Sequence, residues 1–218
     1  VRILLHNPNT DEALTETLAA AARRSLEADD RLATANSGRG AAFIGSNEMI
    51  AVARAALGRD LPKRAVGCDA VVLGCFGDLG VDTLRRRIGR PILSLSDAVF
   101  TTAPLFAKRI GIVTTSPFWA ERLAGEARRK GARRWIAEIR PIAIADRSPT
   151  ALAALCCEAI ADFARQGRCD VVILGGAILV GLAPDVSATS ALPILDPIAT
   201  AIGLCRTAYQ ALQAPSDA

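Results

Sequence analysis

Six cysteines (68, 75, 156, 157, 169 and 205) and one histidine, His6, are the side chains in this 218-residue chain best suited to nucleophilic or proton-transfer chemistry. Cys75 stands apart from the rest. It closes the segment Cys68-Asp69-Ala70-Val71-Val72-Leu73-Gly74-Cys75, an apolar run ending in glycine, and Phe76, Gly77 and Asp78 follow it. A cysteine just after a buried strand and shortly before a helix meets outward-pointing backbone N–H groups and the positive end of a helix dipole. Both favour thiolate over thiol. A thiolate there can serve as a nucleophile or as a base that takes and returns a proton. The segment recurs as Cys169-Asp170-Val171-Val172-Ile173-Leu174-Gly175-Gly176, so Gly176 stands where the first copy carries its thiol. Cys156, Cys157 and Cys205 fall on expected helices, and Cys68 and Cys169 precede strands at the far end of the sheet. These five are expected to be packing residues, as free cysteines usually are.

The elements that position these residues also come in pairs. Val1-Arg2-Ile3-Leu4-Leu5 is matched by Lys108-Arg109-Ile110-Gly111-Ile112, and each runs into a polar end, Asn7-Pro8-Asn9-Thr10 or Thr114-Thr115-Ser116-Pro117. Pro91-Ile92-Leu93 and Pro193-Ile194-Leu195 form a third pair. The apolar pattern predicts strands at 3–6, 31–36, 70–73, 91–95, 109–113, 136–142, 171–174 and 193–195. Between them it predicts helices at 12–28, capped by Thr10 or Asp11, and at 47–57, 81–88, 117–130, 149–166 and 197–212, followed by a polar tail at 214–218 expected to fray. Strands alternating with helices indicate an α/β fold with parallel sheets, and uninterrupted apolar strands are those covered on both faces. We expect two pseudo-symmetric lobes, each a short parallel sheet flanked by helices. Residues 1–98 form the first, with helix 197–212 packing on it, and residues 99–196 form the second. Ligands in such sheets sit beyond the carboxyl ends of the strands. That places the site at Asn7–Thr10, 74–78, 114–117 and 175–176, in a cleft between the lobes.

Composition removes several function classes. Aromatic residues make up 4% of the chain and the net charge is +4, with basic residues spread along helices, so few rings are available to stack on bases and nucleic-acid binding is not expected. No Cys-x-x-Cys pair accompanies the lone histidine, so no metal site is expected. Gly74-x-x-Gly77-x-x-Gly80 lacks the spacing of a dinucleotide fingerprint, and no phosphate-binding P-loop is present. Neither a signal peptide nor an apolar run of membrane-spanning length is seen, and unpaired cysteines suit a reducing cytoplasm.

Asn7-Pro8-Asn9-Thr10, Leu73-Gly74-Cys75-Phe76-Gly77-Asp78, Pro91-Ile92 and Pro193-Ile194-Leu195-Asp196 together resemble the aspartate/glutamate racemase superfamily, in particular its hydantoin racemase branch, which includes allantoin racemases. The resemblance covers nearly the whole chain. It implies a site without cofactor or metal between two α/β lobes, a hydantoin, allantoin or amino-acid-like substrate, and assembly as a homo-oligomer. In such racemases two cysteines on opposite faces of the substrate exchange the Cα proton. Carried over by position, Cys75 is the first of these. Asn9, Thr114, Thr115 and Ser116 match ligand-contacting positions, Phe76, Gly77 and Asp78 flank the thiol, and Gly175-Gly176-Ala177 stands where the family has Gly-Cys-Ala. Thr115-Ser116-Pro117-Phe118 loosely resembles the Thr-Pro-Tyr loop of maleate isomerase-type relatives, without the phenol.

The departure at Gly176 matters because a positioned acid or base is worth roughly 100- to 10,000-fold in rate. Asp78, Asp185, His6 or a water held by the Gly-Gly loop are the groups weighed as replacements. The leading expectation is a racemase-like isomerase using Cys75. The alternatives are a one-thiol lyase of the same fold, since a carbanion made by decarboxylation needs only one protonation, or a ligand-binding relative without catalysis. Arylmalonate decarboxylases resemble this layout but keep the second thiol and lack the first.

Overall fold

The computed structural model describes residues 1–213; the tail at 214–218 lies outside them. Among the described residues eight strands and eight α-helices alternate, and contacts divide the chain into two units: residues 1–95 with the chain from Ile198 onward, and Ser96–Pro197.

The first unit is built on β1 (Arg2–Asn7), β2 (Arg31–Asn36), β3 (Ala70–Leu73) and β4 (Ile92–Ser94), in the order β2-β1-β3-β4 with every pair parallel. Ile3, Leu5 and Val72 are inaccessible to solvent, as central parallel strands covered on both faces require. Helices α1 (Glu12–Arg23), α2 (Asn47–Arg64) and α3 (Val81–Ile88) connect the strands, and α8 (Pro197–Gln213) returns to this unit. The second unit repeats the plan with β5 (Ile110–Thr114), β6 (Ile136–Pro141), β7 (Val171–Leu174) and β8 (Ile194–Leu195) in the parallel order β6-β5-β7-β8. Its helices are α4 (Leu95–Thr102), α5 (Pro117–Arg129), α6 (Pro149–Arg165) and the short α7 (Ala183–Ser187). The expected α/β class and duplicated parallel sheets are therefore present.

The repetition extends to single bonds. At the start of β1 the Arg2 N–H and guanidinium both donate to Asp69, and at the start of β5 Arg109 does the same to Asp170. Gly74 N donates to His6 O at 2.9 Å, and Gly175 N to Val113 O at 2.7 Å. Each Cys-Asp pair thus ties one end of a strand pair, and each glycine ends the other.

Three predicted elements differ clearly in extent. The first helix stops at Arg23 instead of 28, because Ser25 and Leu26 turn back onto the carbonyls of Ala22 and Arg23. Asp11, one of the two expected caps, holds its start by accepting from Leu14 N. The helix expected at 47–57 runs on to Arg64 through Pro62. A proline there removes the N–H that would bond the carbonyl of Gly58, and the Arg87 guanidinium donates to that oxygen at 2.6 Å instead. The strand expected at 91–95 ends at Ser94, where Leu95 opens α4 with its N–H bonded to Cys75 O at 3.0 Å. Val99, Phe100, Thr101 and Thr102 favour strands and concealed that helix. The short α7 was likewise not foreseen. No helix among the described residues is long and apolar enough to cross a membrane.

The α8 helix is held to the first unit by Arg206, whose Nε donates to Asp30 Oδ2 at 3.1 Å and whose Nη2 donates to Ser25 O at 3.1 Å. Burial opposes charge on Asp30, but the Arg206 guanidinium and the Glu27 amide outweigh it and hold the carboxyl at about 2. Asp30 also accepts from the Val1 amine at 3.0 Å and from Glu27 N at 3.0 Å, so it keeps partners when the guanidinium is lost. Arg206→Met is therefore expected to cost about 1–3 kcal/mol in chemical denaturation; an unchanged midpoint would show that the pair does not anchor α8.

Candidate active site

In the first unit, the candidate residues lie on the loops after β1 and β3. The β3 loop begins with a close approach of helix to strand. A Cβ on Gly74 would lie 2.6 Å from Leu18 Cδ1 of α1, so a larger residue there would force that methyl to move. The chain then places Cys75, 5% exposed, with its N–H on Leu73 O at 2.7 Å and its carbonyl accepting from Leu95 at the start of α4. Gly77 N points at Cys75 Sγ across 3.4 Å, a donor of the kind that stabilises negative charge on sulfur. The donor comes from the loop and not from the helix behind it, since α3 starts only at Val81. Phe76 is buried beside the thiol. The Asp78 carboxylate accepts from Gly80 N at 2.8 Å and Val81 N at 3.4 Å, which caps α3.

On the β1 loop, Asn7 is consumed by structure: its Nδ2 donates to Asp11 O and Thr15 Oγ1, and its Oδ1 accepts from Asn9 N. Asn9, 7% exposed, uses its Oδ1 to hold Asp11 N at 3.0 Å. Its Nδ2 makes no hydrogen bond among the described residues, which leaves two donors for a ligand.

In the second unit, the corresponding loops follow β5 and β7. A Cβ on Gly175 would lie 2.5 Å from Ile112 Cγ2 and 3.1 Å from Leu123 Cδ1 of α5, the counterpart of the Gly74 and Leu18 contact. Thr114 is buried and donates its hydroxyl to Gly175 O at 2.7 Å, locking the two loops together. Ser116 caps α5 by accepting from Trp119 N at 3.3 Å. The backbone N–H groups of Thr115, Ser116, Gly176 and Ala177 donate to no acceptor among the described residues. These are strand-end donors of the type that bind anionic oxygen. The sequence singled out these residues by type, but the unused main-chain donors carry no sequence signal. Thr115 also lies against Gly176, a contact visible only in the structure.

The remaining cysteines have a different character. Burial pushes the Cys156 thiol up to about 12, Cys205 to about 12 and Cys169 to about 11, and it raises Cys68 as well. Cys169 packs against Gly111, where a Cβ would lie 2.7 Å from its sulfur. All four are neutral packing thiols near neutral pH. Asp185, weighed as a replacement acid, sits exposed in the first turn of α7. No three His, Cys, Asp or Glu side chains among the described residues gather as a metal-binding set.

Comparison with known proteins identifies the family and the fold. The family model described as Asp/Glu/Hydantoin racemase matches residues 3–205. A hydantoin racemase of Paenarthrobacter aurescens is 29% identical over 215 residues, covering 95% of this chain and 89% of that protein. An allantoin racemase from Klebsiella pneumoniae superposes with a TM-score of 0.89 at 25% identity, covering 97% of this chain and 88% of that one. An arylmalonate decarboxylase shares the fold, with a TM-score of 0.63 at 20% identity over 95% of this chain and 92% of that one.

His6, at the end of β1, is fully buried. Its Nε2 lies 3.3 Å from Ser37 Oγ, and Nδ1 has no partner among the described residues. Burial first, then the field of Arg64, push its pKa down to about 4 against the smaller pull of Asp60, so the ring is neutral near pH 7. Between its ordinary value of 6.5 and about 4 the unfolded chain binds a proton that the folded chain refuses. Stability should therefore fall as pH drops through that window, by about 3 kcal/mol in all. Denaturation of wild type and His6→Asn from pH 8 to 4 should show a shallower slope for the variant; parallel slopes would mean that His6 is not held neutral.

Proposed function

The chain belongs to the Asp/Glu/hydantoin racemase family, and from that premise we propose that it is a cofactor-independent isomerase acting at the α-carbon of a hydantoin-like or amino-acid-like substrate, with Cys75 as its proton-transfer group. The observation that carries this reading is the setting of Cys75: a buried sulfur at a strand end, faced by the Gly77 N–H. The Cys75 thiolate takes the Cα proton and becomes a thiol. The C–H electron pair passes into the adjacent carbonyl as an enolate, whose charge main-chain N–H donors can meet. Asn9 offers its amide N–H groups to the substrate's polar edge. Because the repeat has Gly176 where a second thiol would stand, the proton completing inversion comes from solvent. Relatives named as hydantoin and allantoin racemases supply the substrate class. The same family reading makes the working protein a homo-oligomer, and its unpaired cysteines suit a reducing cytoplasm.

Gly176 also favours a second reading. A single thiol suffices for a lyase, in which loss of carbon dioxide makes the carbanion and Cys75 supplies the one proton needed; an arylmalonate decarboxylase has this fold.

The two readings separate with enantiopure 5-substituted hydantoins, allantoin and an arylmalonate. The isomerase reading predicts loss of optical rotation with the first two and no carbon dioxide from the third. Cys75→Ala should lower that rate by roughly 100- to 10,000-fold with substrate affinity held within a few fold. Activity within tenfold of wild type would remove Cys75 from the chemistry.

A further inference from the structure

A cavity of about 530 Å³ opens in the first unit between the segment after β2 and the second half of α2, lined by Gly38, Arg39, Arg59, Asp60, Lys63 and Arg64. Four cations therefore share it with one carboxylate. Asp60 and Arg64 stand four residues apart on α2, the spacing of a helix ion pair, yet none forms; Arg39, Arg59 and Lys63 make no hydrogen bond or ion pair among the described residues. At a cavity of the second unit, by contrast, Arg140 and Arg165 are both spent on Asp162. Lys63 and Arg64 fall in the last turn of α2, where the helix dipole favours cations. Arg59 does not: it lies one turn earlier on the face of Lys63, where like charges repel. Arg39 comes from the opposite wall. Gly40, with a φ of 143° that favours glycine, lays that wall on α2, and its Cβ would meet Ala56 and Val52 at an ordinary 3.7 and 3.8 Å.

We propose that this cavity binds a small polyanion, a molecule carrying two or more phosphate or carboxylate groups, held between Arg39 on one wall and Arg59 and Lys63 on the other. Guanidinium forks match the oxygens of both groups, and the volume is that of a small-molecule site. An anion there also relieves the repulsion of Arg59 and Lys63. None of the lining residues belongs to the candidate active site, but main-chain bonds within the same unit join the two. Ser37 N donates to Asn7 O at 3.0 Å and to Asn9 O at 3.1 Å, and Thr10 N donates to Ala41 O at 3.1 Å. The segment bearing Arg39 is thus tied on both sides to the loop that presents Asn9. A ligand that fixes Arg39 steadies that loop.

The test is calorimetric titration of the whole protein with pyrophosphate and with citrate, ionic strength being held constant with sodium chloride. At least one of them should bind saturably with a Kd below about 1 mM, and the tighter of the two identifies the anionic group. Arg39→Gln and Arg59→Gln, at exposed side chains, should keep the wild-type Tm and each weaken binding by about tenfold or more. Gly38→Phe alters no charge. A Cβ at Gly38 meets nothing within 4 Å, so the ring enters the cavity without disturbing packing and should weaken binding by a similar factor. No binding of either anion would overturn the proposal, and so would wild-type affinity in Gly38→Phe, the mark of a diffuse basic surface. Hydrogen exchange supplies the second readout: saturating ligand should slow the Ser37 and Thr10 amides, and unchanged exchange would overturn the link to the Asn9 loop. No readout involves turnover, so these outcomes are independent of whether Cys75 isomerises a substrate.

Discussion

The contact on which the site depends is the close approach of a helix leucine to the glycine ending a central strand. Leu18 of α1 comes within 2.6 Å of where a Gly74 Cβ would lie, and Leu123 of α5 within 3.1 Å of the same point at Gly175. Packing at this distance seats a long apolar side chain against the strand end with no void, which a Cβ would prevent. It also fixes where the chain leaves the sheet, so the next residue always emerges at the same place. In one unit that residue is Cys75 and in the other it is Gly176. The duplicated fold thus presents two equivalent positions, one carrying a thiol and the other bare.

At the opposite end of the strands the pairing of Arg2 with Asp69 and of Arg109 with Asp170 keeps neighbouring strands in step. These pairs are largely exposed on the arginine side and worth little as charge pairs. Their acceptors also bind strand N–H groups, so each carboxylate satisfies backbone donors that the sheet leaves open. The thiols of Cys169, Cys156 and Cys205 are raised by burial, while Cys75 meets a backbone donor. One residue type is thus split between packing and chemistry by its surroundings.

Much of this was legible in the residues themselves. The apolar runs 70–73 and 171–174, each ending in glycine, announced central parallel strands, and their repetition announced the duplicated sheet. Less legible were features decided by distant partners. The continuation of α2 through Pro62 depends on Arg87, which is far along the chain. The α4 helix hides in a run of β-favouring residues, and its first N–H holds the Cys75 carbonyl. The hydroxyl contact of His6 with Ser37 and the pressure of Thr115 on Gly176 arise from loops that only folding brings together. Asp78 reads equally well from sequence as a site acid or as a cap, and the structure shows it capping α3.

The central claim is that one thiol, Cys75, handles the proton at the α-carbon. Each enantiomer of a hydantoin substrate, incubated separately in heavy water and recovered before half conversion, tests it most directly. Chemistry through one thiol predicts that deuterium enters the recovered starting enantiomer of one hand faster than that hand inverts, and that Cys75→Ala abolishes this. Deuterium confined to the inverted product for both hands, or exchange undiminished in Cys75→Ala, would contradict it.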